Sequence, residues 1–289
     1  MDKHTKRVLK AVWANKILAK SRAQRAGSSA PTNEELKIYQ RELAKALRGK
    51  KDPEVLVLGA TPELRDLAIS LDARTLAVDI SAELLRSMRS VMATSDSLNN
   101  IEMRADWLSI GRRLPRHNYD AILADASLNN VASKQLPRLL KSLYDLLKPG
   151  GYFITRNVVY RPEITKQNLD KLQRYYNQRK TTWLMYWIEA GYYTDWQPAV
   201  YDPRTKLYNV KKILSLFTAA RQRGEVRLRQ ADIWKFNNVA RHGKGVIHVV
   251  FSKADFERLI KRYYEIVAVH ETKRWHYSKF IPIYVLRSK

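Results

Sequence analysis

Short apolar runs alternate with amphipathic segments along the first half of the chain. Residues 55–58 form a continuous apolar run, typical of a strand buried on both faces, and this run stops at Gly59. A second run, over residues 75–78, stops at Asp79. Apolar positions between the two runs recur at helical spacing, at Leu64, Leu67, Ala68 and Leu71. The pattern predicts a strand, a tight turn, a helix and a second strand.

The same alternation continues to residue 159 and returns near the C-terminus. The further predicted elements are helices over 32–47, 82–92, 136–147 and 255–262 and strands over 101–106, 119–125, 152–159, 265–270 and 280–286. Strands that alternate with helices at this interval indicate βαβ crossovers and therefore a parallel sheet. Segments 162–193 and 206–238 are also predicted to be helical, and they are rich in aromatic and basic residues.

Three of the predicted strands end in a carboxylate, at Asp79, Asp106 and Asp125. A turn at Gly59 followed by a carboxylate at the end of the next strand is typical of a nucleotide pocket, in which the carboxylate binds ribose hydroxyls. The spacing also suits a dinucleotide fold, but the three-glycine fingerprint is missing and Glu63 lies where it would repel a pyrophosphate. A cofactor with a nucleoside and no phosphate fits better. The alternative is that the three aspartates are only polar residues at strand ends.

Five motifs resemble, in order and spacing, those of class I S-adenosylmethionine-dependent methyltransferases. They are Leu-Gly-Ala-Thr-Pro-Glu-Leu at 58–64, Val-Asp-Ile-Ser at 78–81, Asp-Trp at 106–107, Tyr-Asp-Ala-Ile-Leu-Ala-Asp at 119–125 and Leu-Leu-Lys-Pro-Gly-Gly at 146–151. The first motif departs from the family, which has two or three glycines there, because this chain has only Gly59. The resemblance implies an α/β, Rossmann-like doubly wound sheet of seven strands with an antiparallel last hairpin, N-terminal helices and a helical insertion.

The resemblance further implies S-adenosyl-L-methionine as the cofactor. By that resemblance, Gly59, Ala60 and Thr61 would pass under the methionine part of the cofactor. Asp79 would bind the ribose hydroxyls, and Ile80 would contact the adenine.

Two later motifs would complete the pocket in the same family. Asp106 would accept a hydrogen bond from the adenine amino group, and Trp107 would cover the adenine ring. Asp125, Ala126 and Ser127 would line the place where the sulfonium meets the methyl acceptor.

Methyl transfer asks the protein chiefly to position the acceptor and, for a hydroxyl, to remove its proton. The candidate bases are His242, His248, His270 and His276, each of which could instead be an ordinary surface or core histidine. Tyr39 could close over the cofactor or be a core aromatic. No divalent-metal cluster stands out. Residues 125–128 are not the Asn/Asp-Pro-Pro-aromatic signature of base amino-group methylation, and a chain without cysteine cannot use a thiolate at cytosine carbon-5. O-methylation, or methylation of another nitrogen, stays open.

Charge is distributed unevenly over the 289 residues, whose formal net charge is +25. Residues 1–50 carry 13 basic and 4 acidic residues, 51–150 carry 13 of each, and 151–289 carry 27 basic and 11 acidic residues. The excess lies outside the cofactor half, where it would attract nucleic acid or an anionic surface unless it is only a solvated surface. The aromatic residues of 160–241 permit stacking on single-stranded nucleic acid, or they form the core of a helical cap.

The pattern of basic and apolar residues in 1–30 predicts a basic amphipathic helix followed by a linker. This helix could lie on a membrane or on nucleic acid, act as an organellar presequence, or dock on its own domain. No apolar run approaches the roughly 20 residues that span a bilayer, so we expect a cytoplasmic location without excluding organellar targeting.

The sequence therefore predicts four parts. These are a basic helical extension (1–30), a cofactor-binding core (31–160), a helical insertion on the substrate side (161–245) and a C-terminal helix with strands that complete the sheet (246–289). The predicted function is methyl transfer to an unidentified acceptor, with an anionic acceptor favoured. The alternatives are aminopropyl transfer, or a non-catalytic basic module with a vestigial cofactor site.

Overall fold

A computed structural model describes residues 30–178, 181–242, 248–272 and 276–289. The predicted basic helix at 1–30 lies outside the described residues, apart from residue 30.

A seven-stranded sheet forms the centre of the described molecule. Its strands are β1 Glu54–Leu58, β2 Arg74–Asp79, β3 Asn100–Arg104, β4 Tyr119–Asp125, β5 Leu147–Arg156, β9 Tyr264–His270 and β10 Ile283–Ser288. Their order across the sheet is β3-β2-β1-β4-β5-β10-β9. β1 to β5 are mutually parallel, whereas β10 runs antiparallel to both β5 and β9. The sequence-based prediction of a doubly wound sheet with an antiparallel last hairpin is therefore confirmed.

Helices cover both faces of this sheet. They are α1 Asn33–Leu47, α2 Pro62–Ile69 and α3 Ala82–Arg89, which share a buried apolar cluster with one face, and α4 Leu136–Leu146 and α10 Lys253–Ile260, which share a cluster with the other. The order in which strands are added to the sheet reverses at β1, because β2 and β3 lie on one side of it and β4 lies on the other. A crevice outside the carboxyl ends of the strands at such a switch point is where open α/β sheets bind ligands.

Local signals explain where α1 and α2 begin. The Thr32 hydroxyl accepts a hydrogen bond from the Glu35 backbone N–H, and the Glu35 carboxylate accepts one from the Thr32 backbone N–H, which completes a capping box for α1. Pro62 begins α2, since its fixed φ suits the first turn of a helix, and the Thr61 side chain makes no capping hydrogen bond. The Thr61 hydroxyl is thus not needed to start the helix.

The insertion differs from the prediction of helices alone. We call residues 161–242 and 248–249 the cap. Its elements are α5 Leu169–Asn177, α6 Trp183–Tyr193, α7 Gln197–Val200, α8 Val210–Gln222 and α9 Gln230–His242, with the short antiparallel strands β6 Tyr201–Asp202, β7 Leu207–Tyr208 and β8 His248–Val249. Strands of two residues are too short for an alternating pattern to reveal, so the prediction missed them.

Most aromatic residues of the cap are packed inside it, whereas Trp234 on α9 is 44% exposed. Tyr176, Tyr186, Tyr192, Tyr193 and Phe217 are fully buried in one apolar cluster. Such rings cannot stack on a nucleic acid, so most of the aromatic content serves the core of the cap.

Candidate functional site

Four of the residues proposed from sequence meet at the carboxyl ends of β1, β2 and β4. Gly59 has φ +99°, a conformation that favours glycine. A Cβ atom added at Gly59 would lie 3.7 Å from both the Ser127 Oγ and the Trp107 Cζ2, and 3.9 Å from the Asp79 Oδ2. The missing side chain therefore leaves a cradle whose walls are a hydroxyl, an indole and a carboxylate.

Asp79, the last residue of β2, is 7% exposed. Its Oδ1 accepts a hydrogen bond of 2.8 Å from the Ser81 backbone N–H. Burial raises the pKa of the Asp79 carboxyl to about 6, although backbone N–H donors at Ser81 and Ile80 oppose the rise. A buried carboxylate beside a glycine cradle is a strong acceptor for a pair of hydroxyls. Ile80 follows directly and is half-buried.

The Asp106-Trp107 motif begins a short 3-10 helix, Trp107–Arg112, that follows β3. The Asp106 Oδ1 accepts a hydrogen bond of 3.0 Å from the Leu108 backbone N–H and so caps this turn. Trp107 Nε1 donates to the Val78 carbonyl at 2.7 Å, which fixes the indole against the end of β2. The ring is half-buried, so part of it is available to a ligand in the cradle. β3 ends at Arg104, two residues before its predicted end, because Asp106 belongs to the turn.

A strained turn joins β4 to a second 3-10 helix, Ser127–Asn130. Ala126 has φ 52° and ψ 17°, a left-handed conformation that costs a non-glycine residue about 1–2 kcal/mol. The Ala126 N–H donates to the Arg156 carbonyl at 2.8 Å, and the Ser127 hydroxyl donates to the Leu58 carbonyl at 2.7 Å. These bonds tie the ends of β5, β4 and β1 together and hold Ser127 against the cradle. Strain that the surroundings maintain is typical of functional sites.

The Asp125 side chain has a partner that the sequence analysis did not identify. Its Oδ1 accepts a hydrogen bond of 2.7 Å from the Arg156 Nε, and the Arg156 Nη1 lies 2.9 Å from the Glu35 Oε2. The Tyr39 hydroxyl donates to the Ala124 carbonyl and accepts from the Arg156 backbone N–H. Tyr39 is fully buried, which makes it a core aromatic rather than a cover for the cofactor. The sequence signal for these ion pairs was Arg156 itself, a charged residue at the end of an apolar strand.

The described histidines differ in where they lie. His248, on β8, is half-buried, and burial lowers its pKa to about 4. Its Nε2 has no hydrogen-bond partner within the described part of the chain. The His270 Nε2 lies 3.3 Å from the Glu42 Oε1 on α1, and burial lowers the pKa of His270 despite that carboxylate. His242 and His276 have side chains outside the described part of the structure. Of these four candidates, His248 is on the strand that packs against residues 127–130.

The cap lies over the segment that follows β4. The Asn129 amide donates to the carbonyls of Val158 and Val249, at 3.0 Å and 2.8 Å, and its oxygen accepts from the Val158 N–H. The Ser133 hydroxyl donates to the Thr205 carbonyl at 3.0 Å. Residues 127–133 therefore have the cofactor cradle on one side and the cap on the other.

The described residues include neither a metal-binding group nor a membrane-spanning helix. They contain no group of three His, Asp or Glu residues that could hold a metal ion. Within the same residues, no helix is both long enough and apolar enough to cross a membrane.

This arrangement fits S-adenosylmethionine. The cradle at Gly59 gives room for close approach, Asp79 offers a carboxylate to a ribose diol, and Trp107 offers a planar ring. Glu63 lies in the first turn of α2, where it would repel a phosphate, as the sequence analysis predicted. These features suit a nucleoside cofactor that carries no phosphate.

Solved structures share the fold at low sequence identity. The putative zinc-dependent alcohol dehydrogenase from Rhodobacter sphaeroides has 14% identity and a TM-score of 0.55, and the match covers 90% of this chain and 91% of that one. The putative methyltransferase in complex with the Trm112 activator from Haloferax volcanii has 11% identity and a TM-score of 0.51, with 96% of both chains covered. The 1,6-didemethyltoxoflavin N1-methyltransferase from Burkholderia thailandensis, crystallised with S-adenosylhomocysteine, has 11% identity and a TM-score of 0.50, covering 88% of this chain and 78% of that one. At these identities the likeness shows the fold alone.

Sequence comparison identifies the family. No curated protein matches the chain. The family model described as a methyltransferase domain matches residues 61–221, which is more than half of the 289 residues and includes most of the cradle. The chain therefore belongs to the methyltransferase domain family, and it is a class I S-adenosylmethionine-dependent methyltransferase.

Proposed function

We propose that this enzyme binds S-adenosylmethionine in the cradle at Gly59 and transfers the methyl group to an acceptor held under the cap. The observation that carries the proposal is the meeting of Gly59, Asp79, Trp107 and Ser127 within 4 Å of one point at the sheet switch. S-adenosylmethionine, when bound, supplies the activated methyl group. The protein has only to hold the two reactants in line and exclude water.

Each predicted site residue has a role in this proposal. Ala60 and Thr61 continue the buried backbone that the methionine part crosses. Ile80 and Asp106 flank the adenine, which Trp107 covers. Asp125 and Ala126 fix the turn that presents Ser127 to the pocket.

We assign the roles of the parts within the predicted boundaries, with one exception: β8 (248–249) pairs with β7 and belongs to the cap. Residues 31–160 form the cofactor side, residues 161–245 form the acceptor side, and residues 246–289 complete the sheet. The contacts of Asn129 with both sides support an acceptor site between them.

An anionic acceptor is the class that the cap suits best. The cap carries exposed basic side chains with no ion-pair partner among the described residues, at Lys166, Lys171, Arg174, Lys211, Lys212 and Arg227. Most of its aromatic rings are buried, although Trp234 is 44% exposed, so we expect attraction to the acceptor to be mainly electrostatic.

The cofactor part of the proposal is tested with Asp79→Ala. We expect this variant to lose S-adenosylmethionine binding in isothermal titration, because the ribose hydroxyls lose their acceptor. Asp96→Ala is the matched control, since Asp96 is exposed on a loop away from the cradle. Equal binding by wild type and Asp79→Ala would contradict the assignment.

The acceptor part is tested by charge reversal on α8. Lys211→Glu with Lys212→Glu should reduce methyl transfer from tritiated S-adenosylmethionine to anionic acceptors, and the reduction should shrink as salt is raised. Arg112→Glu with Arg113→Glu, outside the cap, is the control. If both double variants lower transfer equally, the effect comes from net charge and not from the cap.

A further inference from the structure

Two buried carboxylates share one buried guanidinium beside the cofactor cradle. The side chains of Glu35, Asp125 and Arg156 are 1%, 4% and 2% exposed. Burial alone would lower the pKa of Arg156, but Asp125 and Glu35 together raise it, so the guanidinium stays charged. Burial first, and then the charge of Asp125, keep Tyr39 neutral by raising its pKa well above the usual value. The two buried carboxylates therefore bond the same guanidinium.

One oxygen of this group also lacks a hydrogen-bond partner. The Glu35 Oε2 accepts from the Thr32 backbone N–H at 2.7 Å and from the Arg156 Nη1 at 2.9 Å. The Glu35 Oε1 is buried and accepts no hydrogen bond from the residues that the structure describes. A buried carboxylate oxygen without a donor is unfavourable, and a ligand with an N–H donor would remove that cost.

Hydrogen bonds of the other Glu35 oxygen, Oε2, connect this carboxylate to the proposed methionine end of the pocket. Arg156 bonds both Glu35 and Asp125, and Asp125 is followed by the turn that holds Ser127 against Gly59. Tyr39, on the same helix as Glu35, is bonded to the end of β4 through the Ala124 carbonyl. The first turn of α1 is thus fixed at the carboxyl ends of β4 and β5.

We propose that the Glu35 Oε1 accepts a hydrogen bond from the α-ammonium group of the cofactor. S-adenosylmethionine has two cationic centres, the sulfonium and the ammonium, and only the ammonium has N–H bonds to give. An ammonium would give this oxygen the hydrogen-bond donor that it lacks, in a charge-assisted contact. The inference rests on the proposed cofactor site, and it makes Glu35 a specificity residue for the amino-acid part of the cofactor.

The test compares three ligands by isothermal titration of wild type and Glu35→Gln. S-adenosylmethionine has both cationic centres, S-adenosylhomocysteine has only the ammonium, and 5′-methylthioadenosine has neither. Glu35→Gln should weaken the first two ligands by about 10-fold to 100-fold and leave the third unchanged. Glu34→Gln, in the same helical turn, is the matched control and should alter none of the three affinities.

Each other outcome overturns the inference. An equal loss of affinity for all three ligands means that Glu35 acts only through the fold. A loss of affinity confined to S-adenosylmethionine means that the Glu35 carboxylate faces the sulfonium. Unchanged affinity for all three means that Glu35 does not contact the cofactor. Failure of wild type to bind any of the three would instead refute the cofactor site itself. Should Glu35→Gln not fold, wild type titrated with deaminated S-adenosylhomocysteine decides: the same 10-fold to 100-fold loss supports the ammonium contact, and an unchanged affinity overturns it.

Discussion

Replacing Asp79 by Asn should stabilise the protein without its cofactor while it abolishes cofactor binding. The carboxylate of Asp79 is buried, and it is ionised at neutral pH at a cost that its raised pKa measures. Asn keeps an oxygen that can accept the Ser81 N–H and removes only the charge. The variant therefore separates what the fold needs from what the ligand needs.

The size of the effect follows from the pKa shift of Asp79. The pKa rises from 3.8 to about 6, and each unit corresponds to about 1.36 kcal/mol, which gives about 3 kcal/mol. Between these two pH values the folded state binds more protons than the unfolded state, so the stability of wild type falls as pH rises from about 4 to about 6. Asp79→Asn has no such dependence. We expect equal stability near pH 3.5 and a gain of about 3 kcal/mol above pH 6.5.

The assay is denaturant unfolding of both proteins at several pH values, with thermal unfolding at pH 7.5. A gain of about 3 kcal/mol corresponds to roughly 5 °C in a chain of this length. S-adenosylhomocysteine should raise the unfolding midpoint of wild type and leave that of Asp79→Asn unchanged. If Asp79→Asn is less stable than wild type at pH 7.5, or if the difference does not depend on pH, the burial argument is wrong.

Three further perturbations test other parts of the structure. Gly59→Ala should cost about 1–3 kcal/mol of stability in urea unfolding because φ is +99°, and it should weaken cofactor binding because the new methyl group fills the cradle. Gly224→Ala, at φ +76°, is the control and should lower stability alone. Equal losses of cofactor binding in the two variants would contradict this prediction. Arg156→Met should cost about 3–5 kcal/mol of unfolding free energy because it removes the guanidinium that two buried carboxylates share. A loss under about 1 kcal/mol would show that the two carboxylates do not depend on it. The pKa of His248 in the folded state, about 4, lies below its value in the unfolded state, so the stability of wild type should rise from pH 4 to 6.5. His248→Gln should remove about 2 kcal/mol of that rise, a figure set below the full value of the pKa shift because the residue is only half-buried. An unaltered dependence of stability on pH in the variant would refute this prediction.

The alternation of strands and helices was sufficient to predict the sheet and the meeting of Gly59 with Asp79. Carboxyl ends of neighbouring parallel strands lie at one edge, so the spacing of Gly59 and Asp79 along the chain becomes proximity in the fold. The later strand-end motifs join the same edge for the same reason, as Ser127 and Trp107 do. The family resemblance added the identity of the cofactor, which the spacing alone left open.

Long-range pairing of side chains was beyond prediction from one sequence. Glu35 and Arg156 are 121 positions apart, and nothing local to either residue indicates the other. Asp125 was predicted at the correct strand end, but its ion pair with Arg156 depends on the register of β4 and β5, which places the two residues opposite each other. The orientation of a polar side chain at a strand end is decided by such partners and not by periodicity.

Binding of S-adenosylmethionine to the wild-type protein, measured by isothermal titration beside Asp79→Ala, tests the central claim most directly. We predict one binding site per chain with micromolar affinity in wild type and no detectable binding in Asp79→Ala, with both proteins folded. A well-folded wild-type protein that binds neither S-adenosylmethionine nor S-adenosylhomocysteine would contradict it.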